Sequence, residues 1–410
     1  MSKRFLGLIA TGILLLAAIA PVPAAAEELN ISSMNYAASF PNSLSFTLKA
    51  TAPVEIVDAR LHYQVQRQGF AEVFNEVIVK VAPATDVSLS YSLNLRRVGG
   101  LPPGVVIDYW WTLYDAGGRE YVTEVNKLTF NDERYQWRAL SEGLVTLYWY
   151  NGSDSFAGQL MATAQQALDK LENDTGARLS EPVNIYIYDS AQSLQGSMVF
   201  PQEWTGGVAF TNFNTIAIGI ETSSLTWGKR AIVHELAHVV TNQVTANPYN
   251  SIPTWLNEGL SMYAEGPLDA LYVVFYNSAR DQQSLISVRS LTSPFSADPA
   301  LAYLSYAESY HVVKYLIDTY GQDKMSRFLD QFAEGASADG ALEAVYGFDL
   351  EGLDAEWQEY AYNAVPDRFQ SAVIWTPWLV LLIVLVSGAS VIIAVWLFYP
   401  RMVRVERVDQ

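Results

Sequence analysis

The chain changes its hydrophobic period along its length. From residue 27 to about 135, short runs alternate apolar and polar residues: Leu44–Leu48, Glu55–Ile56, Leu61–Val65, Val77–Val81, Val87–Leu95 and Val105–Leu113. Alternation at period two puts successive side chains on opposite faces, so these runs predict half-buried β-strands. Gly99-Gly100, Pro102-Pro103-Gly104 and Gly117-Gly118 punctuate them as turns. Trp110, Trp111 and Trp137 are expected to pack in the core of this region or at its border.

The period then lengthens. Phe156, Leu160, Ala164, Leu168 and Leu171 fall on one helical face. Val183–Tyr188 reads as a strand, with Asp189 and Ser190 placed to cap a short helix after it. Val208–Phe210 and Thr215–Ile220 are two more strand-like runs, and the chain beyond them is mostly helical to about Ala364. Gly321, Gly335 and Gly347 read as helix stops. An exposed edge strand at Val208–Phe210 would either pair with an extended peptide or be protected.

The predicted fold class is α+β. About seven strands over residues 27–138 predict a β-sandwich of the immunoglobulin or fibronectin type III kind, without the Cys–Trp–Cys framework of antibody domains. A mixed unit over residues 139–366 follows it.

Both ends read as addresses. Lys3 and Arg4, an apolar run from Phe5 to about Ala20, and Ala24-Ala25-Ala26 predict a signal peptide over 1–26. Trp378–Tyr399 holds no charged residue, and a helix of that length spans about 30 Å of hydrocarbon. Trp375, Trp378, Trp396 and Tyr399 flank it as interfacial aromatics, and Arg401, Arg404 and Arg407 follow. The expectation is a single-pass type I membrane protein: stalk 367–377, bilayer span 378–399, cytoplasmic tail 400–410, and everything between signal and span outside the cytoplasm.

Composition narrows the chemistry. With 25 basic and 43 acidic residues the chain carries a formal charge of −18, which excludes binding nucleic acid by phosphate neutralisation. No cysteine is present, which excludes disulfides, thiolate metal sites and thiol nucleophiles, and fits a bacterial surface. Imidazole chemistry must draw on His62, His234, His238 and His311. Nothing in the sequence specifies an oligomer.

His234-Glu235-Leu236-Ala237-His238 is the central signal. On a helix, residues four apart lie on one face, so the two imidazoles can hold one metal ion while Glu235 reaches the open coordination position as a base. Pro253-Thr254-Trp255-Leu256-Asn257-Glu258-Gly259-Leu260 follows, with 19 residues between His238 and Glu258. An antiparallel helix pair would return Glu258 to the metal, giving the His, His, Glu set that leaves a fourth position for water on catalytic zinc.

This arrangement resembles the gluzincin pattern of thermolysin, and the wider region resembles the peptidase MA-like family. The likeness extends to Trp204–Phe210 and Ile216–Ile220, to Tyr306–His311 and Tyr315–Gly321, and to Ala341–Gly347 with Trp357, covering roughly residues 140–366. The resemblance implies a zincin-like metallopeptidase fold, Zn²⁺ as cofactor, His234, His238 and Glu258 as its ligands, Glu235 as general base, and a peptide or protein as substrate. Thermolysin-like enzymes brace a ligand histidine with an acidic residue four positions after the ligand glutamate. Met262 stands there, leaving Asn257, Glu265 or Glu308 as replacements. For the donor that shares the developing oxyanion charge, Tyr306 comes first and Tyr310 second; His311 is adjacent but points elsewhere. The rival reading is a non-catalytic surface protein that keeps the fold as a scaffold, against which Glu235 argues.

Overall fold

The computed structural model describes residues 28–69, 73–201 and 206–363. The predicted signal peptide, stalk, bilayer span and tail lie outside the described residues, as do Trp204, Thr205 and 364–366. Among the described residues, no helix is long and apolar enough to cross a membrane.

The first unit holds β1 (Asn30–Ser39), β2 (Ser43–Val65), β3 (Asn75–Ile78), β4 (Ala84–Asn94), β5 (Val105–Asp115), β6 (Glu120–Val122) and β7 (Asn126–Phe130). The seven strands belong to one hydrogen-bonded sheet. The immunoglobulin- or fibronectin-like sandwich expected here is not shown as such, since all seven strands are connected in that one sheet. The three runs read at 44–48, 55–56 and 61–65 are one strand, β2, of 23 residues. Its first half pairs with β1 and β4, its second half with β3 and β5. The rings of Phe46 and Tyr63 lie 6.3 Å apart. In a straight strand those residues would be separated by ~55 Å, so β2 folds over and its two halves face each other across one core. The register slips between Thr51 and Ile56, where Pro53 removes a ladder donor. A bend at a proline therefore looked like a break between strands.

Trp111 is fully buried in this core. Trp110 points to the other face and stacks on His62 at 5.1 Å. Trp137 packs edge-on against Tyr150, Tyr186 and Tyr188 of the second unit.

The second unit begins with a hairpin that the sequence reading missed, β8 (Arg138–Glu142) and β9 (Val145–Trp149). It continues with α1 (Asp154–Thr175), β10 (Val183–Tyr188), α2 (Ala191–Gln195), β11 (Gly207–Phe210) and β12 (Thr215–Gly219). The helices α3 (Leu225–Thr245), α4 (Thr254–Glu265), α5 (Ala270–Asp281), α6 (Pro299–Tyr320), α7 (Gln322–Ala333), α8 (Ala338–Val345) and α9 (Leu350–Asn363) complete it. The sheet order is β11-β12-β10-β9-β8, with β9, β10 and β12 parallel and β11 antiparallel at one edge. Alternation sorts the two faces. Val183, Ile185, Ile187, Ile216 and Ile218 face the helical core, while Tyr186, Tyr188 and Ala217 face the aromatic layer that holds Trp137.

Local chemistry sets the helix ends. Ser190 caps α2 by accepting from the Ser193 N–H, and Asp298 caps α6 by accepting from the Leu301 N–H, with Pro299 at the first helical position. Gly321, Gly335 and Gly347 all adopt positive φ. Gly259 has a different role. A Cβ there would meet the Ser309 carbonyl oxygen at 2.4 Å, so glycine lets α4 seat directly on α6 beside Glu258.

Candidate active site

The helix α3 forms because Ile232, Val233, Leu236, Ala237, Val239 and Val240 bury against the sheet and the neighbouring helices. Pro248 lies just beyond its end. The opposite face carries His234 and His238, whose Nε2 atoms lie 3.1 Å apart. The contacts of α4 run antiparallel to α3: Arg230 and His234 meet Glu265, while His238 meets Asn257 and Ser261. Glu258 Oε2 reaches 3.5 Å from His234 Nε2 and 3.6 Å from His238 Nε2.

This donor set fits a metal ion. His234 Nδ1 lies 2.7 Å from Glu265 Oε1. His238 Nδ1 lies 3.1 Å from both Asn257 Oδ1 and Ser261 Oγ. These acceptors draw the ring protons to Nδ1 and leave Nε2 lone pairs facing each other and a buried Glu258 oxygen that makes no hydrogen bond. Only a cation relieves that crowding. Donors at 2.0–2.1 Å around a tetrahedral ion sit ~3.3 Å apart, close to the spacings seen. Without a metal, a proton takes the ion's place. Burial works against it, but contacts with Glu258 and Glu265 raise His234 to about 10. Burial would likewise raise the Glu258 carboxyl, yet the two imidazoles hold it below the usual range.

Glu235 lies on the β11 side of His234 and His238, against Gly207 and Ala209. The Ala209 N–H donates to its carboxylate. A Cβ on Gly207 would come within 2.8 Å of its Oε1, so glycine leaves the carboxylate its place. Burial pushes the Glu235 carboxyl up, opposed by His234 and His238. The strand β11 is an edge strand paired only with β12 among the described residues.

The two tyrosines separate. Tyr306 packs against Phe295 and Tyr272. Its hydroxyl is raised first by burial and then by the charges of Glu258 and Glu235, which places it within electrostatic reach of both. Tyr310 packs on Tyr263, which also meets Lys170. His311 stacks on Tyr276 at 3.8 Å and on Trp357 at 6.3 Å, in the packing between α5, α6 and α9. Of the three replacements for Met262, Asn257 and Glu265 reach the imidazoles. Glu308 does not: it is buried and accepts from the Ile286 N–H.

A cleft of about 850 Å³ opens beside His238 and Asn257. Its far wall is Gln66–Gly69 of the first unit. The Gln68 N–H donates to the Asn212 carbonyl at 2.7 Å, and its side chain donates to Glu181 at 2.8 Å. Sequence reasoning missed this wall, because no local pattern links residues 66–69 to a helix more than 150 positions away.

Residues 163–363 match the family model described as the Peptidase MA superfamily. No curated protein matches the chain. Among solved structures, catalytically inactive OgpA of Akkermansia muciniphila, in complex with an O-glycopeptide substrate, is 10% identical, with a TM-score of 0.20 over 25% of this chain. The match spans only 29% of that protein's own length. A mutant of the M1 zinc metallopeptidase of Deinococcus radiodurans is 12% identical over 83% of this chain and 97% of that one, with a TM-score of 0.33. An aminopeptidase N family protein of Idiomarina loihiensis is 10% identical over 84% and 76%, with a TM-score of 0.39.

Proposed function

We propose that this chain is a zinc-dependent peptidase of the gluzincin type, anchored in a membrane through residues 378–399 with its catalytic unit outside the cytoplasm. The observation that carries the reading is the convergence of His234, His238 and Glu258 with Glu235 one residue from the first ligand. The family match over 163–363 supports it.

Zinc bound by His234 Nε2, His238 Nε2 and Glu258 would supply a Lewis acid and an activated water. The chain's own groups do the rest. Glu235 takes a proton from the attacking water and returns it to the leaving amine. Tyr306 directs a hydroxyl toward the oxyanion that develops on the peptide carbonyl. The outer edge of β11, which pairs with no other strand among the described residues, holds the substrate backbone extended beside Glu235. Glu265 and Asn257 fix the imidazole rings.

The test is a mass-spectrometric digest of a peptide library with the full-length protein, beside its Glu235→Gln variant, with zinc content measured on both. Cleavage by the parent alone supports the reading. Zinc bound with no cleavage by either protein overturns it in favour of a surface protein that only binds.

A further inference from the structure

The first unit touches the site at a second place, on the other face of β11. Ala209 packs toward the helical core, while Val208 and Phe210 point the opposite way into the aromatic layer. On that side a cavity of about 320 Å³ lies against the strand. Its wall comes from three parts of the chain: Val208 and Phe210 of β11, Met198, Val199 and Phe200 after α2, and Leu101 of the first unit. These six side chains are apolar; the one polar side chain on the wall, Ser197, spends its hydroxyl on the Leu194 carbonyl. Val199 is buried in the core of the first unit, and Gly100, at a φ of +86°, lies so close that a Cβ would meet Val199 Cγ2 at 3.1 Å. The turn at 99–101 is thus pressed onto the catalytic unit. Phe200 is 61% exposed at the rim, with the Arg96 guanidinium 6.0 Å from its ring.

We infer that this cavity is a substrate subsite that takes an apolar side chain, and that the N-terminal unit, through Leu101, helps to set the peptidase's specificity. The inference rests on the peptidase reading above. A peptide paired to the outer edge of β11, unpaired among the described residues, alternates its side chains as β11 does. The residue whose side chain lies on the Glu235 side has neighbours pointing to the opposite face, where the cavity lies. The cavity therefore reads a residue next to the one at the catalytic carboxylate. The first unit then selects substrate instead of only spacing the catalytic unit.

Two arms test this with the full-length, zinc-loaded protein. In the first, a decapeptide library is digested by the parent, by Met198→Lys and by Phe200→Asp, the last altering an exposed residue so that folding is kept. The expected result is enrichment of Leu, Met or Phe at one position within two residues of the cleaved bond. Both variants lose that enrichment, with kcat/KM for an apolar reference peptide down roughly tenfold or more. Cleavage with no apolar preference, or with a preference unchanged in both variants, overturns the subsite and leaves the peptidase. The second arm needs no turnover. Fluorescence anisotropy follows labelled Gly–Ser octapeptides carrying one Leu at each position in turn, bound to Glu235→Gln with and without Met198→Lys. Leu-dependent binding that Met198→Lys removes upholds the subsite even where the library is left uncut. Binding indifferent to Leu overturns it.

Discussion

Glu265 Oε1 lies 2.7 Å from His234 Nδ1, seven positions along α4 from Glu258. Four positions would place Met262 there, and Met262 is buried in packing. The acid that contacts the first imidazole is Glu265, three residues beyond Met262. Arg230 holds it at 2.9 Å and also reaches Asp269 at 2.6 Å. Glu265→Ala is expected to weaken zinc binding by about 10- to 100-fold, read by competition with a chelator. Glu265→Gln, which keeps an acceptor oxygen, should lose less. Equal affinity in Glu265→Ala and the parent would show that the contact does not orient the ligand.

His238→Ala and Glu235→Gln should separate metal from chemistry. The first removes a donor whose Nε2 sits 3.1 Å from that of His234, and is expected to lose zinc and turnover together. The second leaves all three donors in place and is expected to keep zinc while losing at least ~100-fold in kcat. Zinc by elemental analysis and turnover on the same samples decide it. Loss of zinc from Glu235→Gln would move that residue from base to structural support.

Tyr306→Phe removes only a hydroxyl. Because Glu258 and Glu235 both act on that hydroxyl, kcat should fall by roughly 100-fold with KM nearly unchanged. Tyr310→Phe, in the Tyr263 cluster, should stay within a few-fold of the parent. Steady-state kinetics on one peptide compares the two. A larger loss at Tyr310 would reverse the assignment.

The convergence of His234, His238 and Glu258 was legible because helix periodicity fixes where residues 234 and 238 point, and because Pro253 begins the helix that returns Glu258. The strand at Val183–Tyr188 and the caps at Ser190 and Gly321 were legible for the same local reasons. What local pattern could not reveal were contacts between distant segments. The choice of Glu265 over Glu308 as the partner of His234, Gln68 against Asn212, and Leu101 and Val208 lining one cavity each depend on how helices and units pack. The bend in β2 was misread because Pro53 marks a strand end and a strand bend alike.

Gly259→Ala tests the seating of α4. The added methyl would meet the Ser309 carbonyl oxygen at 2.4 Å and Val313 Cγ2 at 2.6 Å. Backbone cannot yield as a flexible side chain can, so α4 must shift, at a cost of about 1–3 kcal/mol. Because Glu258 is the preceding residue, zinc affinity should fall together with Tm. A drop in Tm with unchanged affinity would show that α4 adjusts without moving its carboxylate.

Two groups away from the metal, buried Glu308 and partly buried His311, set opposing slopes of stability with pH. Burial, with Lys314 and Arg280, depresses His311 to about 3 from an ordinary 6.5. Between those values the unfolded chain holds a proton that the folded chain lacks, so stability falls as pH drops, by up to ~1.4 kcal/mol per unit. Burial raises Glu308 to about 8 from 4.5, opposed by the Ile286 N–H and aided by Asp354. Between those values the folded chain holds the extra proton, so stability falls as pH rises. The slopes cancel between 4.5 and 6.5, where both operate. Above 6.5 the glutamate acts alone until about 8, and below 4.5 the histidine acts alone. His311→Phe, which keeps the stack on Tyr276, should flatten the acid limb and leave the limb above 6.5 intact. Glu308→Gln, which keeps an acceptor for Ile286, should flatten that upper limb and leave the acid limb intact. Urea unfolding from pH 4 to 9 on the parent and both variants reads the slopes. If each variant altered both limbs equally, the two groups would not titrate independently and this account of the pH profile would fail.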